Sequence, residues 1–329
     1  MKKKKMSDAG EFAFIDIIRK RFSKNFSKNV IAPIGDDAFC FKAGNETVCV
    51  TKDMLVEDVH FEKGLITPAQ LGQKAAEVNI SDIASMGTIT PKYAFIGLGC
   101  PAGITLDYVQ SFYAGFKKAC DADGVLISGG DTVRSDKLII SVTVVGTCKT
   151  RKVIRRNGAK NGDLVGVTNA FGDSGAGLEL LLKRGARDGY TKAEKKLIAK
   201  HNVPKARLKE ANKISKYASS MTDASDGLYV SVNLLAKESA KGADIDIEKI
   251  PLSSELKSVI KDEAKRFDLA LFGAEDYELV FTVPKFKAKA VKKLVPRVSY
   301  IGEINNSKKV RYFHNGKEKK VKYSGFSHF

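Results

Sequence analysis

The chain has 329 residues, 43% hydrophobic and 29% charged, with 56 Lys and Arg against 38 Asp and Glu for a net charge of +18. This is the composition of an ordinary folded protein and excludes a disordered or disulfide-stapled one. The length exceeds what one core usually serves, so two domains are expected. No stretch approaches the roughly 18 consecutive apolar residues of a membrane span.

Lys2 to Lys5 have the charge of a secretory leader, but Asp8 and Glu11 stand where its apolar stretch belongs, so they read as a frayed tail of a cytoplasmic protein. Glu11 to Phe22 reads as a short amphipathic helix, with Phe14, Ile15, Ile18 and Phe22 at helical spacing. Pro33-Ile34-Gly35-Asp36-Asp37 is a turn carrying two adjacent carboxylates. Thr47 to Lys52 is a β-branched strand that delivers Asp53 and, seven residues on, His60 to its end. Thr67 and Pro68 start a helix that Gly87 stops. Leu71, Ala75, Val78 and Asp82 share one face of it, and a carboxylate on an apolar face needs a cation or strong donors.

Lys92 to Gly99 is a strand, and Thr105 caps a helix whose apolar stripe includes Tyr113. Val125 to Ser128 reads as a buried strand ending in Gly129-Gly130-Asp131, and Leu138 to Thr147 as a long strand. A basic, turn-rich segment follows, which places the domain boundary near Cys148 and divides the chain into 1–148 and 149–329. Leu164 to Thr168 runs into the glycine-rich turn Gly172 to Gly177, whose N–H groups at a helix start are a weak anion-site signal. Helices are expected over 191–200, 204–217, 228–240 and 254–265, with a strand into Asp223 and strands on both sides of Gly273 to Tyr277.

Cys40, Cys49, Cys100, Cys120 and Cys148 lie in apolar runs with no C-x-x-C, so buried free thiols are expected rather than a disulfide or a zinc site. The lysines are spread over helices and the C-terminal segment without interleaved aromatics or a nucleic-acid motif, so a solvated basic surface is expected and no nucleic-acid partner. Against that basic background the acidic segments stand out. Asp53, Asp82, Asp131 and Asp223 sit at the ends or inner faces of apolar elements, as if several elements converge on one cavity. Carboxylates without Cys or clustered His select hard cations, above all Mg2+. Several of them suit a cradle that holds a polyphosphate during phosphoryl transfer. Arg134, Arg155 and Arg156 are candidate phosphate contacts, and no P-loop or protein-kinase motif is present.

Read in order, Ile34-Gly-Asp-Asp37, Lys52-Asp53 with His60, Asn79-Ile-Ser-Asp82 with Gly87, Gly129-Gly-Asp131-Thr, Arg156-Asn-Gly-Ala, Gly172-Asp-Ser, Asp223-Ala-Ser-Asp226-Gly-Leu and Phe272-Gly-Ala-Glu275-Asp-Tyr-Glu-Leu resemble the thiamine-monophosphate kinase family over almost the whole chain. The resemblance implies a two-domain α+β fold of the PurM-like superfamily, with an N-terminal sheet forming a homodimer interface and a C-terminal α+β domain closing over the nucleotide. It implies transfer of the ATP γ-phosphoryl group to thiamine monophosphate. It further implies that Asp36, Thr51, Asp53, Asp82, Asp131, Asp223 and Asp226 hold several Mg2+ ions. Tyr113, Gly130, Asp131, Arg156 and Ser225 would then meet ATP, and His60, Glu275 and Phe326 the acceptor. Asp53, Asp131 and Arg156 would assist transfer without a general base, because the acceptor phosphate is already ionised. Lys52 departs from the family, which commonly has Thr or Ser there, and it leaves the number of ions open. Related ATP enzymes of the superfamily are rivals, but the chain lacks the reactive Cys of selenophosphate synthetases and the terminal Cys of the hydrogenase-maturation protein.

Overall fold

The computed structural model describes residues 10–23, 26–149, 153–323 and 325. Lys2 to Lys5 and Phe326 lie outside the described residues. The N-terminal half contains α1 (Glu11–Phe22), β1 (Val30–Ala32), β2 (Phe39–Ala43), β3 (Glu46–Val56), α2 (Pro68–Ser85), β4 (Thr90–Cys100), α3 (Leu106–Asp123), β5 (Leu126–Arg134) and β6 (Ile139–Cys148). Its six strands form one sheet in the order β1-β2-β3-β6-β4-β5, antiparallel except for the β4–β5 pair.

α2 starts as the sequence dictates. Thr67 accepts from Gln70 N, the Gln70 side chain accepts from the Thr67 backbone, and Pro68 occupies the first helical position. α2 and α3 cover one face of the sheet and cross at backbone contact. A Cβ on Gly72 would lie 2.0 Å from the Phe112 carbonyl oxygen, and one on Gly115 would lie 1.9 Å from that of Ala69. Only glycine permits this approach.

The C-terminal half adds β7 (Asp163–Thr168), α4 (Asp173–Arg184), α5 (Lys192–Asn202), α6 (Leu208–Ile214), β8 (Ser220–Asp223), α7 (Leu228–Glu238), β9 (Gly242–Asp246), α8 (Ser254–Val259), α9 (Glu263–Phe272), β10 (Leu279–Pro284), α10 (Lys285–Leu294), β11 (Val298–Asn305), β12 (Val310–His314) and β13 (Lys317–Lys319). Its sheet runs β13-β12-β9-β11-β7-β10-β8, antiparallel except for β12–β9. The main hydrophobic core crosses between the halves, joining Ile80 and Ile83 of α2 to Met221 of β8 and to Leu279 and Phe281 of β10.

Five expectations are corrected. The segment over 254–265 is two helices, because Asp262 caps the second through Ala264 N and Lys265 N; its apolar run continues to Phe272, so helix rather than strand precedes Gly273. Short apolar runs carry no period that separates the two states. β3 continues to Val56, which puts Asp53 inside the strand rather than at its end. β5 is an edge strand exposed along its whole length rather than a buried one. Finally, Cys40 and Cys49 are bonded as a disulfide. They are in-register partners on β2 and β3, 4.2 Å apart at Cα, because the hairpin folds residues nine apart in sequence onto each other. Among the described residues, Cys100, Cys120 and Cys148 form no disulfide.

The helix crossing generates a prediction. Gly115→Ala must push α2 and α3 apart, costing about 2–3 kcal/mol of stability by chemical denaturation. A change under about 0.5 kcal/mol would show that the crossing adapts freely.

Candidate functional site

A cavity of about 770 Å³ opens between the two halves. The Gly35–Ala38 turn, β3, the loop after it, α1, α2, α4, the 225–226 turn and the 274–277 segment all contribute to its wall. Three carboxylates converge there, Asp37 and Asp82 in the cavity wall and Asp223 buried beside them. Asp37, Asp82 and Asp223 each present an oxygen within 4.8 Å of the others.

Each carboxylate reaches this point by a different route. Asp82 rides on the last turns of α2, and its Oδ2 accepts from Thr51 Oγ1 of β3 at 2.5 Å. Asp223 ends β8, and its Oδ2 accepts from Ser81 Oγ of α2 at 2.5 Å. Asp37 Oδ1 accepts from Thr222 Oγ1 at 2.8 Å and from Arg156 Nε at 3.1 Å. Asp53 is set by its backbone, whose N–H donates to Asn79 Oδ1 at 3.0 Å, while Asn79 Nδ2 donates to Ala75 O.

The electrostatics are those of a site short of positive charge. Burial, then Asp226 and Asp37, push Asp53 up to about 6. Burial and Asp37 push Asp223 up to about 8, against the opposing pull of Ser81 and Arg156. Burial, with Asp53, Asp223 and Asp37, raises Asp82 well above its usual range. Among the described residues, Asp37 Oδ2 is buried without a hydrogen-bond partner. An orphaned carboxylate oxygen among crowded carboxylates has room for a ligand, and the all-oxygen donor set fits Mg2+.

Of the paired aspartates, Asp37 is the one whose carboxylate lies within reach of Asp82 and Asp223. Asp36 Oδ1 instead accepts the backbone N–H groups of Arg156 and Asp37, both at 3.2 Å, because side chains of adjacent residues in this turn diverge. Burial and Asp37 push Asp36 up to about 7. Thr51, Asp53, Asp82, Arg156, Ser225, Asp226, His60 and Glu275 all line the cavity, as does Asp36. His60 Nδ1 accepts from Val56 N at 3.1 Å.

Three expected nucleotide contacts are not brought there. Tyr113 packs edge-on against Phe112 at 5.4 Å and belongs to the first core. A Cβ on Gly130 would lie 2.0 Å from Ile96 O, so packing alone accounts for this glycine. Asp131 lies on β5, three strand places from β3, which is about 14 Å at the usual interstrand spacing. Register carries Met54 to Ser141, Gly97 and Asp131, so Asp131 faces the side of the sheet opposite Asp53.

The segment Gly172 to Gly177 is not a turn ahead of a helix, since α4 begins at Asp173 and only Gly172 precedes it, and the start of the helix is filled from within. Asp276 Oδ2 accepts from Gly172 N at 2.7 Å and Oδ1 from Ser174 N at 3.1 Å, so the protein's own carboxylate takes the expected anion position. Sequence reasoning missed Lys74 and His201, which pair with Glu275 in the cavity wall. Lys74 carried a legible signal, since it stands four and eight residues before Val78 and Asp82 on the apolar face of α2.

With this geometry in hand, comparison with known proteins is specific. Residues 35–148 match the AIR synthase related protein N-terminal domain family, and residues 160–315 match the corresponding C-terminal domain family. A thiamine-monophosphate kinase of Aquifex aeolicus (strain VF5) is 38% identical, covering 99% of this chain and all of that protein. A thiamine-monophosphate kinase of Bacillus subtilis (strain 168) is 34% identical, covering 91% of this chain and 93% of the other. Among solved structures, one described as AaThiL complexed with AMPPCP and TMP superposes with a TM-score of 0.88 at 37% identity over the full length of both chains. The chain therefore belongs to the thiamine-monophosphate kinase family.

Proposed function

We infer that this protein transfers the γ-phosphoryl group of ATP to thiamine monophosphate, giving thiamine diphosphate and ADP. The observation that carries the reading is the convergence of Asp37, Asp82 and Asp223 at a cavity between the halves, in a chain similar along its full length to a protein solved with AMPPCP, an ATP analogue, and TMP. Residues 1–148 and 149–329 form the two domains of this reading.

Asp37, Asp82 and Asp223, with Asp53, Thr51 and Asp226 beside them, would hold Mg2+. The ions would neutralise phosphate charge as it redistributes in transfer. The chain's own groups do the positioning. Thr51 and Ser81 hold two of the carboxylates in place, and Arg156, itself in the cavity wall, clamps the Gly35–Asp37 turn through Asp37 and the Gly35 carbonyl. Ser225 lies beside the cluster for the nucleotide, and His60 and Glu275 line the wall for the acceptor. No side chain needs to remove a proton, since the attacking oxygen belongs to a phosphate ionised at neutral pH.

A homodimer completes the reading. The sheet face that α2 leaves uncovered exposes Met54, Tyr93 and Phe95, and β5 adds Leu126 and Val133. Apolar residues massed on an open sheet face mark an interaction surface, and a second copy of the chain is the occupant proposed here. Lys52 and Asp131 share that face, so a lysine of one copy can supply the second copy's Asp131 with charge that an ion would otherwise provide. This accounts for the departure at Lys52 and for the placement of Asp131 and Gly130 away from the cluster. The cytoplasm, where ATP is available, is the expected compartment.

The direct test is ADP release with Mg-ATP and thiamine monophosphate beside free thiamine and a no-acceptor control. Turnover is expected with the monophosphate alone, and hydrolysis independent of acceptor would overturn the reading. The metal assignment separates two neighbours. Asp37→Asn should lower kcat by about 100-fold or more, and Asp36→Asn, which keeps an acceptor for the same N–H groups, by less than about 10-fold. The reverse order would return the ligand role to Asp36.

Protons and Mg2+ should also compete. Asp36, Asp53, Asp82 and Asp223 bind protons more tightly folded than unfolded, so without divalent ions stability should fall as pH rises from about 4 to about 8. Mg2+ should then raise the Tm more at pH 8 than at pH 5. Asp276, pushed up to about 7 by burial, adds to the metal-free slope and gives no Mg2+ response. An Mg2+ effect equal at both pH values would count against the carboxylate cradle.

A further inference from the structure

The cavity wall also contains an ion pair, between Lys74 and Glu275, that the phosphoryl chemistry does not require. Lys74 of α2 is 1% exposed, and its Nζ lies 2.9 Å from Glu275 Oε2. A buried Lys–Glu pair is weak support for stability, since an apolar pair of similar volume often does as well. Its retention in a cavity wall calls for another account.

The surroundings of Glu275 are built to aim it. Its backbone is left-handed at φ 65°, a strained conformation for a non-glycine residue, and its N–H donates to Ser225 O at 2.6 Å. His201 Nδ1 of α5 lies 3.3 Å from the same Oε2 and 3.1 Å from Ser174 Oγ. Burial and the Lys74 charge push the His201 imidazole down to about 4, so at neutral pH it orients without adding charge. Burial alone would raise the Glu275 carboxyl, and the charge and hydrogen bond of Lys74 outweigh it and hold the group below its usual range. Both described contacts fall on Oε2, which leaves Oε1 for a ligand.

We propose that Lys74 is a positioning residue that sets acceptor specificity: it keeps Glu275 ionised and aimed, so that the cavity favours an acceptor carrying a cationic ring. The thiazolium ring of thiamine monophosphate is such a cation. A fixed carboxylate oxygen then separates it from phosphorylated molecules with neutral rings. The inference rests on the reading that Glu275 meets the acceptor.

The test compares thiamine monophosphate with the analogue carrying a neutral thiophene in place of the thiazolium. Both are measured in the wild type, Lys74→Met, Glu275→Gln and the double variant. The wild type should prefer the cationic acceptor. Each single variant should raise the KM for thiamine monophosphate by about 10-fold or more, leave the KM for ATP within about 2-fold, and lose most of the preference. The double variant, which leaves no unpaired buried charge, should be no worse than Glu275→Gln alone, the non-additivity expected of two residues acting as a unit. It carries the test if Lys74→Met does not fold. A folded Lys74→Met or double variant that keeps the preference overturns the inference, as does an equal rise in both KM values. A wild type that phosphorylates thiamine monophosphate without preferring the cation overturns this inference alone. A wild type inert toward thiamine monophosphate overturns the proposed function.

Discussion

The structure depends on a concentration of like charge. Asp37, Asp82 and Asp223 meet at one point, with Asp53 beside them, in surroundings that raise the cost of ionising Asp53, Asp82 and Asp223. Arg156 is the one guanidinium bonded to this group among the described residues, and it bonds Asp37 alone of the three. Hydroxyls of Thr51, Ser81 and Thr222 satisfy one oxygen of each carboxylate but cannot cancel its charge. The charge of the cluster is therefore left largely uncompensated by the protein's own groups.

α2 is the element through which that cluster is built. It contributes Asn79, which sets Asp53, Ser81, which sets Asp223, and Asp82 itself. About two turns before Asp82 it also brings Lys74 into the cavity wall. A helix can serve a cavity at several points only if it lies close and still, and the glycine contacts at Gly72 and Gly115 draw it against α3 while its outer face meets β8 and α6. The core that crosses between the halves through α2 keeps Asp223 and Glu275, which belong to the second half, in register with the first.

Much of this was legible in the chain itself. The start of α2 at Thr67 and Pro68 and its end before Gly87 follow from local chemistry, and the structure carries both. That Asp82 lies on an apolar face and requires partners follows from helical periodicity alone. The scarcity of acidic residues in a basic chain made their clustering meaningful, and the hard-cation reading followed from donor type without coordinates.

What the tertiary structure decided are the matters that depend on direction. Adjacent aspartates at 36 and 37 are chemically equivalent in sequence, and only the turn's geometry sends one into the cluster and the other onto backbone N–H groups. Asp131 reads as one more cavity carboxylate until sheet order and register place it on the other face of an edge strand. Cys40 and Cys49 look like two isolated thiols until strand pairing sets them opposite each other. The helix start expected to bind an anion, at α4, proves to be occupied by Asp276, more than a hundred residues away. Residue type and local spacing determine what a side chain can do; which neighbours it does it with is set by long-range packing, which a linear pattern does not encode.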